Sequence, residues 1–234
     1  MRDDPLPESV DWRTLGGVNP IQDQGNCGSC WAFSAIASLE GAYFATSGNL
    51  IKVSEQQIVD CAGLQYKNFG CLGGNVWGAW DYLEIHSSIL ETDYPYKGRL
   101  GKCRYDDGGP YTHVETLAYT WVPVRNSPET RKALAQQVIS TSIEADQPVF
   151  QQYKSGIFNS TACGKQNPVS QLDLDHAVNL VGYGTEDGQD YFILRNSWGT
   201  DWGEDGYMRI ADIGSHEGIC GVQIEPVWVT PFTY

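Results

Sequence analysis

Apolar residues run almost without interruption through residues 30–45, with Trp31, Ala32, Phe33, Ala35, Ile36, Ala37, Leu39, Ala42, Tyr43 and Phe44 spread over every side of a helical projection. A helix that is apolar all round is a buried one, so the pattern predicts a central helix opening at Cys30. Three further helices follow from the same reasoning. Ser54 and Gln57 read as a capping box opening a short helix to about Asp60. Val76, Trp80 and Leu83 recur at helical spacing within 75–85. Ser127, Pro128 and Glu129 supply an N-cap, a first-turn proline and an early carboxylate for a helix to about Gln137.

The second half changes period. Residues 139–144, 176–183, 191–195 and 206–211 are β-rich and separated by glycine-containing turns such as Glu186-Asp187-Gly188. Helices ahead of strands predict an α+β chain of two lobes with a cleft between them, a natural site for an extended ligand. The approximate division is a helical lobe over 15–115 and a β-rich lobe over 116–215, within one catalytic domain spanning 1–234. No repeat or low-complexity tract interrupts it.

Charge narrows the partners. The 234 residues carry 15 basic and 29 acidic side chains, a formal net charge of −14. No basic stripe exists to neutralise phosphates, so neither nucleic acid nor an anionic membrane is expected as a partner. No apolar run reaches the roughly 18 residues of a membrane span. Residues 1–26 begin with the polar Met1-Arg2-Asp3-Asp4-Pro5 and show no secretory signal.

Seven cysteines (27, 30, 61, 71, 103, 163 and 220) suggest three pairs and one free thiol. Six cysteines allow 15 pairings, and spacing does not choose among them. Asn159-Ser160-Thr161 is a glycosylation sequon. Together with the cysteines it favours an oxidising compartment, secreted or lysosomal/vacuolar.

The chemistry gathers on Cys30, in Gln24-Gly25-Asn26-Cys27-Gly28-Ser29-Cys30-Trp31. A thiol attacks as thiolate, and a helix N-terminus lowers its pKa. Gly28 permits close backbone approach there. A base is needed beside it. Of His86, His113, His176 and His216, only His176 leads an apolar strand (His176-Ala177-Val178-Asn179-Leu180), where a titratable group would face a cleft. Asn196 follows the next strand, so a hairpin would bring it beside His176 as the orienting group, with Trp198 shielding the pair from water. His86, His113 and His216 read as surface or polar-network histidines. Cys27 and Cys30 also have thioredoxin spacing, but no βαβ context surrounds them. No clustered cysteines or histidines suggest zinc, and no cofactor is implied.

Cys27-Gly-Ser-Cys30-Trp31, with His176 and Asn196 lying 146 and 166 residues beyond Cys30, resembles the papain and cathepsin L-like family of cysteine peptidases. Pro7-Glu8-Ser9-Val10-Asp11-Trp12-Arg13 is similar to that family's mature N-terminus, and the likeness runs to about Glu225. The resemblance implies a papain-like fold, a mainly helical lobe against a β-barrel-like lobe. It implies Cys30 as nucleophile, His176 as general base and acid, Asn196 as its orienter, and Gln24 with the Cys30 N–H as oxyanion donors. Trp198 would cover the His–Asn pair and line the leaving-group side, and Gly73 and Gly74 would pair with the substrate backbone. The implied disulfides are Cys27–Cys71, Cys61–Cys103 and Cys163–Cys220. The implied specificity pocket holds Asn75, Val76, Ser142, Leu174, Asp175, Ala177 and Glu225. Glu225 at its floor would admit Arg beside bulky apolar residues at the second position before the scissile bond.

The resemblance further implies protein and peptide substrates, an inhibitory pro-segment absent from this mature-like chain, cystatin-type inhibitors and a monomer. Leu72 and Asn75 depart from the family's usual residues. The stretch from Cys163 to His176 is longer than in short relatives and is expected to alter the leaving-group rim. No His-His occluding insertion is present, which favours endopeptidase action. A catalytically silent homologue and a transpeptidase on the same fold are the alternatives; the first usually lacks the nucleophile or the histidine, and both are present here.

Overall fold

The computed structural model describes residues 5–106, 114–164, 169–214 and 216–233. His113, the polar start Met1–Asp4 and the middle of the long 163–176 stretch (Lys165 to Pro168) lie outside the described residues.

Helix α1 (Cys30–Ser47) is buried from Trp31 through Ala42, as its apolar circumference requires. Burying Trp31, Phe33, Ile36 and Leu39 contributes about 1.5–3 kcal/mol each. Gly48 ends the helix in a left-handed conformation and donates its N–H to Phe44 O at 2.8 Å. Helix α2 (Glu55–Cys61) is capped by Ser54, whose side chain accepts from Gln57 N at 3.0 Å. The expected box is only half made. Gln57 turns its side chain to Tyr82 Oη, Ser87 O and Ile89 N, because Ser54 N is already bonded to Ile89 O. Helix α3 spans Val76–Leu83.

Helix α4 (Ser127–Leu134) is shorter than expected and capped one residue earlier. Asn126 accepts from Glu129 N, whereas Ser127 Oγ donates to the buried Asp212. A one-turn helix, α5 (Pro148–Gln151), completes the α-helices among the described residues, and short 3-10 turns such as Gln171–Asp173 lie between the elements.

The strands are β1 (Val10–Asp11), β2 (Val114–Trp121), β3 (Ile139–Ile143), β4 (Ile157–Phe158), β5 (His176–Glu186), β6 (Gln189–Arg195), β7 (Tyr207–Ala211) and β8 (Val227–Thr233). They form one sheet in the order β2-β8-β3-β5-β6-β7-β4, with β1 added antiparallel to β5. The sheet corrects the barrel-like expectation. It is open, because β4 is a two-residue strand paired parallel to β7 and nothing among the described residues joins it to β2.

The four expected strands are present, and four others were not anticipated. β2 carries a bulge between Thr116 and Ala118 that breaks its alternation and leaves Leu117 exposed, and β8 contains Pro231 opposite Thr116. Asp187 and Gly188, both at positive φ, close the tight β5–β6 hairpin.

Two hydrophobic clusters result. One gathers α1, α2 and α3 with Val114, Ala177, Val227 and Val229. The other fills the sheet around Phe150, Tyr183, Phe192 and Trp202. α1 is held to the sheet by polar groups. Ser34 Oγ contacts Ser140 Oγ (2.6 Å) and Val178 O (2.8 Å), and Asn179 Nδ2 donates to Ser34 O and Ser38 Oγ, both at 2.9 Å. These buried bonds fix the helix that begins with Cys30 against the strand that begins with His176.

Candidate active site

Cys30 is the first residue of α1 and the free cysteine among the described residues. Its N–H is one of the helix's unpaired first-turn donors. His176 begins β5, buried beneath Trp198. The β5–β6 register pairs Asn179 with Arg195, so the next residue, Asn196, falls diagonal to His176 on the same face.

Asn196 Oδ1 accepts the Ser197 N–H at 2.8 Å and lies 2.7 Å from His176 Nε2. A carbonyl oxygen only accepts, so Nε2 carries a proton and donates to Asn196. That leaves Nδ1 as the ring nitrogen available to Cys30, whose thiol interacts with the ring strongly enough that each shifts the other's pKa. The Trp198 ring lies tilted over His176 at 4.7 Å between centroids. Trp202 meets Trp198 edge-on at 5.6 Å and sits in the core beside Phe150 and Tyr153.

The electrostatics follow from these contacts. Burial alone pushes the Cys30 thiol up. The hydrogen bond and charge of His176, with the N–H groups of Ala177 and Trp31, outweigh it and hold the thiol below its ordinary value. Burial lowers the His176 imidazole, but the Cys30 thiolate, the Asn196 bond and the charge of Asp175 reverse this and raise it. The two shifts favour a thiolate–imidazolium pair.

Gln24 is buried, accepts from Ser197 Oγ at 2.7 Å and donates from Nε2 to Cys27 O at 3.0 Å. Tyr96 Oη lies 2.6 Å from Ser29 Oγ and donates to Gln24 O at 2.9 Å, so one tyrosine braces both the residue before Cys30 and Gln24. Gly28 donates its N–H to Cys71 O at 2.9 Å, where a Cβ would lie 2.7 Å from that oxygen.

A cavity of about 300 Å³ opens beside Cys30 and His176. Its walls include Gly73, Gly74, Asn75, Val76, Ser142, Leu174, Asp175, Ala177 and Glu225, all singled out from the sequence. The two glycines differ. Gly73, at φ 119°, has open space where a Cβ would stand, so its backbone is accessible. Gly74 is small because Asn68 and the Trp31 ring leave no room. Asn75 donates its side-chain amide to Lys67 O, and Leu72 is almost fully exposed.

Trp77 and Gln171 also line the cavity and were not expected there. Within the described part of the long stretch before His176, Gln171 reaches the Glu225 wall. Other contributors missed from the sequence are Ser34, Asn179, Ser197 and Tyr96. Ser34 and Ser38, one turn apart in a largely apolar helix, were the available signal.

The structure joins Cys27–Cys71, Cys61–Cys103 and Cys163–Cys220. His86 lies against Tyr82 and Tyr105, and His216 is exposed. Asn159 is exposed as well. Among the described residues no three His, Cys, Asp or Glu side chains converge as a metal site would require.

Residues 6–230 match the family model of the papain family cysteine proteases. The chain belongs to that family. It is 48% identical over 226 residues to cysteine proteinase RD21A of Arabidopsis thaliana, covering 95% of this chain and 46% of the relative. It therefore spans about half the length of that relative. Chymopapain of Carica papaya is 43% identical over 217 residues, covering 92% of this chain and 58% of the relative. Among solved structures, the bromelain protease from Ananas comosus in complex with the E64 inhibitor superposes with a TM-score of 0.86 at 38% identity, covering 96% of this chain and 99% of that one. The papain-like fold is shared with the bromelain structure. No described helix is long and apolar enough to cross a membrane.

Proposed function

We propose that this papain-family chain is a cysteine endopeptidase acting through a Cys30 thioester, in a single catalytic domain with its cleft between two lobes. The observation that carries the reading is the convergence of Cys30, His176 and Asn196 at the N-terminus of a buried helix, with His176 bonded to Asn196 and its charge lowering the pKa of the Cys30 thiol. The Cys30 thiolate adds to the scissile carbonyl, forming a C–S bond. Gln24 Nε2 and the Cys30 N–H stabilise the oxyanion. The C–N bond breaks as His176 passes its proton to the leaving amine. His176 then takes a proton from water, the hydroxide adds to the thioester, and the C–S bond breaks to release the acid and restore the thiolate.

Gly73 offers backbone pairing to an extended substrate, which is tolerant of sequence. Selectivity falls to the cavity beside it, which takes bulky apolar side chains and, through Glu225, Arg at the second position before the scissile bond. The three disulfides and the exposed Asn159 sequon suit a secreted or vacuolar/lysosomal protein. A pro-segment, cystatin-type inhibitors and a monomeric state belong to the same reading.

Labelling with an epoxide of the E-64 type, read by mass spectrometry alongside peptide hydrolysis, tests it. Label on Cys30 and loss of both label and hydrolysis in folded Cys30→Ala are expected. Persistent hydrolysis in that variant would overturn the reading.

A further inference from the structure

The cavity beside Cys30 is not closed by Glu225 alone. A second cavity of about 350 Å³ lies behind it, lined by Trp121, Val124, Arg125 and Ile224, and Gln171 and Glu225 line both. Gln171 Nε2 donates to Glu225 Oε1 at 2.6 Å, so the pair forms the partition between the two spaces. Gln171 is exposed and opens a one-turn helix, Gln171–Asp173, that stands without it: Asp173 Oδ2 accepts from both the N–H and the hydroxyl of Ser170.

We infer that Gln171 is a specificity-determining residue that holds the Glu225 carboxylate in the partition and so biases the cavity toward apolar side chains over Arg; the inference rests on the Glu225 reading above. A guanidinium binds a carboxylate best as a two-pronged fork using both oxygens. Gln171 occupies one of them. A substrate arginine must displace that amide or accept a single-pronged contact. An apolar side chain laid over the partition meets a carboxylate that already has a donor, so covering it does not strip that oxygen of its hydrogen bond. Asp175 lines the cleft too, but its Oδ1 is committed to the Ala145 N–H at 2.8 Å. Arg125 faces Glu225 only across the second cavity.

The test compares two peptides differing only in Arg or Leu at the second position before the cleaved bond, with kcat and KM measured separately. Gln171→Leu removes the donor. Gln171→Met does so at the original length and serves if the first variant folds poorly. The Arg-to-Leu ratio of kcat/KM should rise about threefold or more, through a lower KM for the Arg peptide with kcat unchanged. A ratio that stays constant or falls overturns the inference. Glu225→Ala separates the two claims. If it lowers the ratio while the Gln171 variants leave it constant, only the role of Gln171 fails. If it leaves the ratio unchanged, the Glu225 reading fails and takes this one with it.

Discussion

Gln24 and Ser197 are hydrogen-bonded twice: Ser197 Oγ donates to Gln24 Oε1 at 2.7 Å, and Gln24 N donates to Ser197 O at 2.9 Å. The Cys27 carbonyl only accepts, so its bond from Gln24 Nε2 fixes which end of the amide is nitrogen, and the Ser197 hydroxyl holds the oxygen end. Ser197 also donates its N–H to Asn196 Oδ1, so one serine braces both the proposed oxyanion donor Gln24 and the residue bonded to His176.

Removing the donor and removing its brace should therefore differ in degree. Gln24→Ala is expected to lower kcat by about 10²–10³, the usual effect of deleting an oxyanion-hole donor. Ser197→Ala leaves the donor present but free to turn, and should lower kcat by a smaller factor with KM nearly constant. Steady-state kinetics on one peptide decides it. Equal losses in the two variants would show that Ser197 acts by some other route.

The cluster of Glu40, Lys52, Glu55 and Glu91 predicts an acid-stabilised fold. Lys52 Nζ bonds Glu40 Oε1 at 3.1 Å and Glu55 Oε1 at 2.7 Å, with both carboxylates almost fully buried. Burial raises Glu40, the Lys52 charge offsets this only partly, and Glu55 adds to the rise. Burial likewise raises Glu91, against the Tyr96 N–H bond. A carboxyl with a raised folded-state pKa binds protons that the unfolded chain has released. Stability gained this way grows as pH falls from neutral through the raised values, and levels off near the ordinary glutamate value of about 4.3. Thermal unfolding should show a higher Tm at mildly acidic than at neutral pH, with a flatter dependence in Glu91→Gln. Lys52→Met, which strands two buried carboxylates, should cost about 3–5 kcal/mol at neutral pH and less in acid. A wild-type Tm that falls between neutral and mildly acidic pH would contradict this.

The two glycines at the cleft should respond differently to alanine. At Gly74 a Cβ would stand 2.5 Å from Asn68 Oδ1 and 2.8 Å from the Trp31 ring, next to Cys30. Gly74→Ala should cost about 1–3 kcal/mol in stability through overpacking. At Gly73 nothing obstructs a Cβ, but the φ of 119° strains any other residue and the methyl faces substrate. Gly73→Ala should act mainly on KM. Denaturant unfolding and kinetics on the two variants check the contrast.

Cys30, His176 and Asn196 were legible in the sequence because each stands where a period changes: the first residue of an all-apolar helix, the first of an apolar strand, and the first after its hairpin partner. The glycines and pocket residues were legible only through family resemblance. Gln171 was not legible in that role, since its partner Glu225 is 54 residues away and only the tertiary fold brings them together. The open sheet was hidden for a related reason. Its edge strand β2 pairs with β8, which is far away in sequence, and a bulge and Pro231 disturb their alternation. Tyr96 gave no periodic signal at all, because it acts from a loop.

The central claim is that Cys30 is a thiolate because His176 holds it so. The direct test is the pH dependence of Cys30 alkylation in the wild type and in His176→Ala, with the modified residue identified by mass spectrometry. The account predicts a wild-type thiolate persisting well below the free-thiol value of about 8.5. It predicts a shift to that value or above in His176→Ala, where burial acts unopposed. A wild-type Cys30 titrating near 8.5, or unmoved by loss of His176, would contradict it.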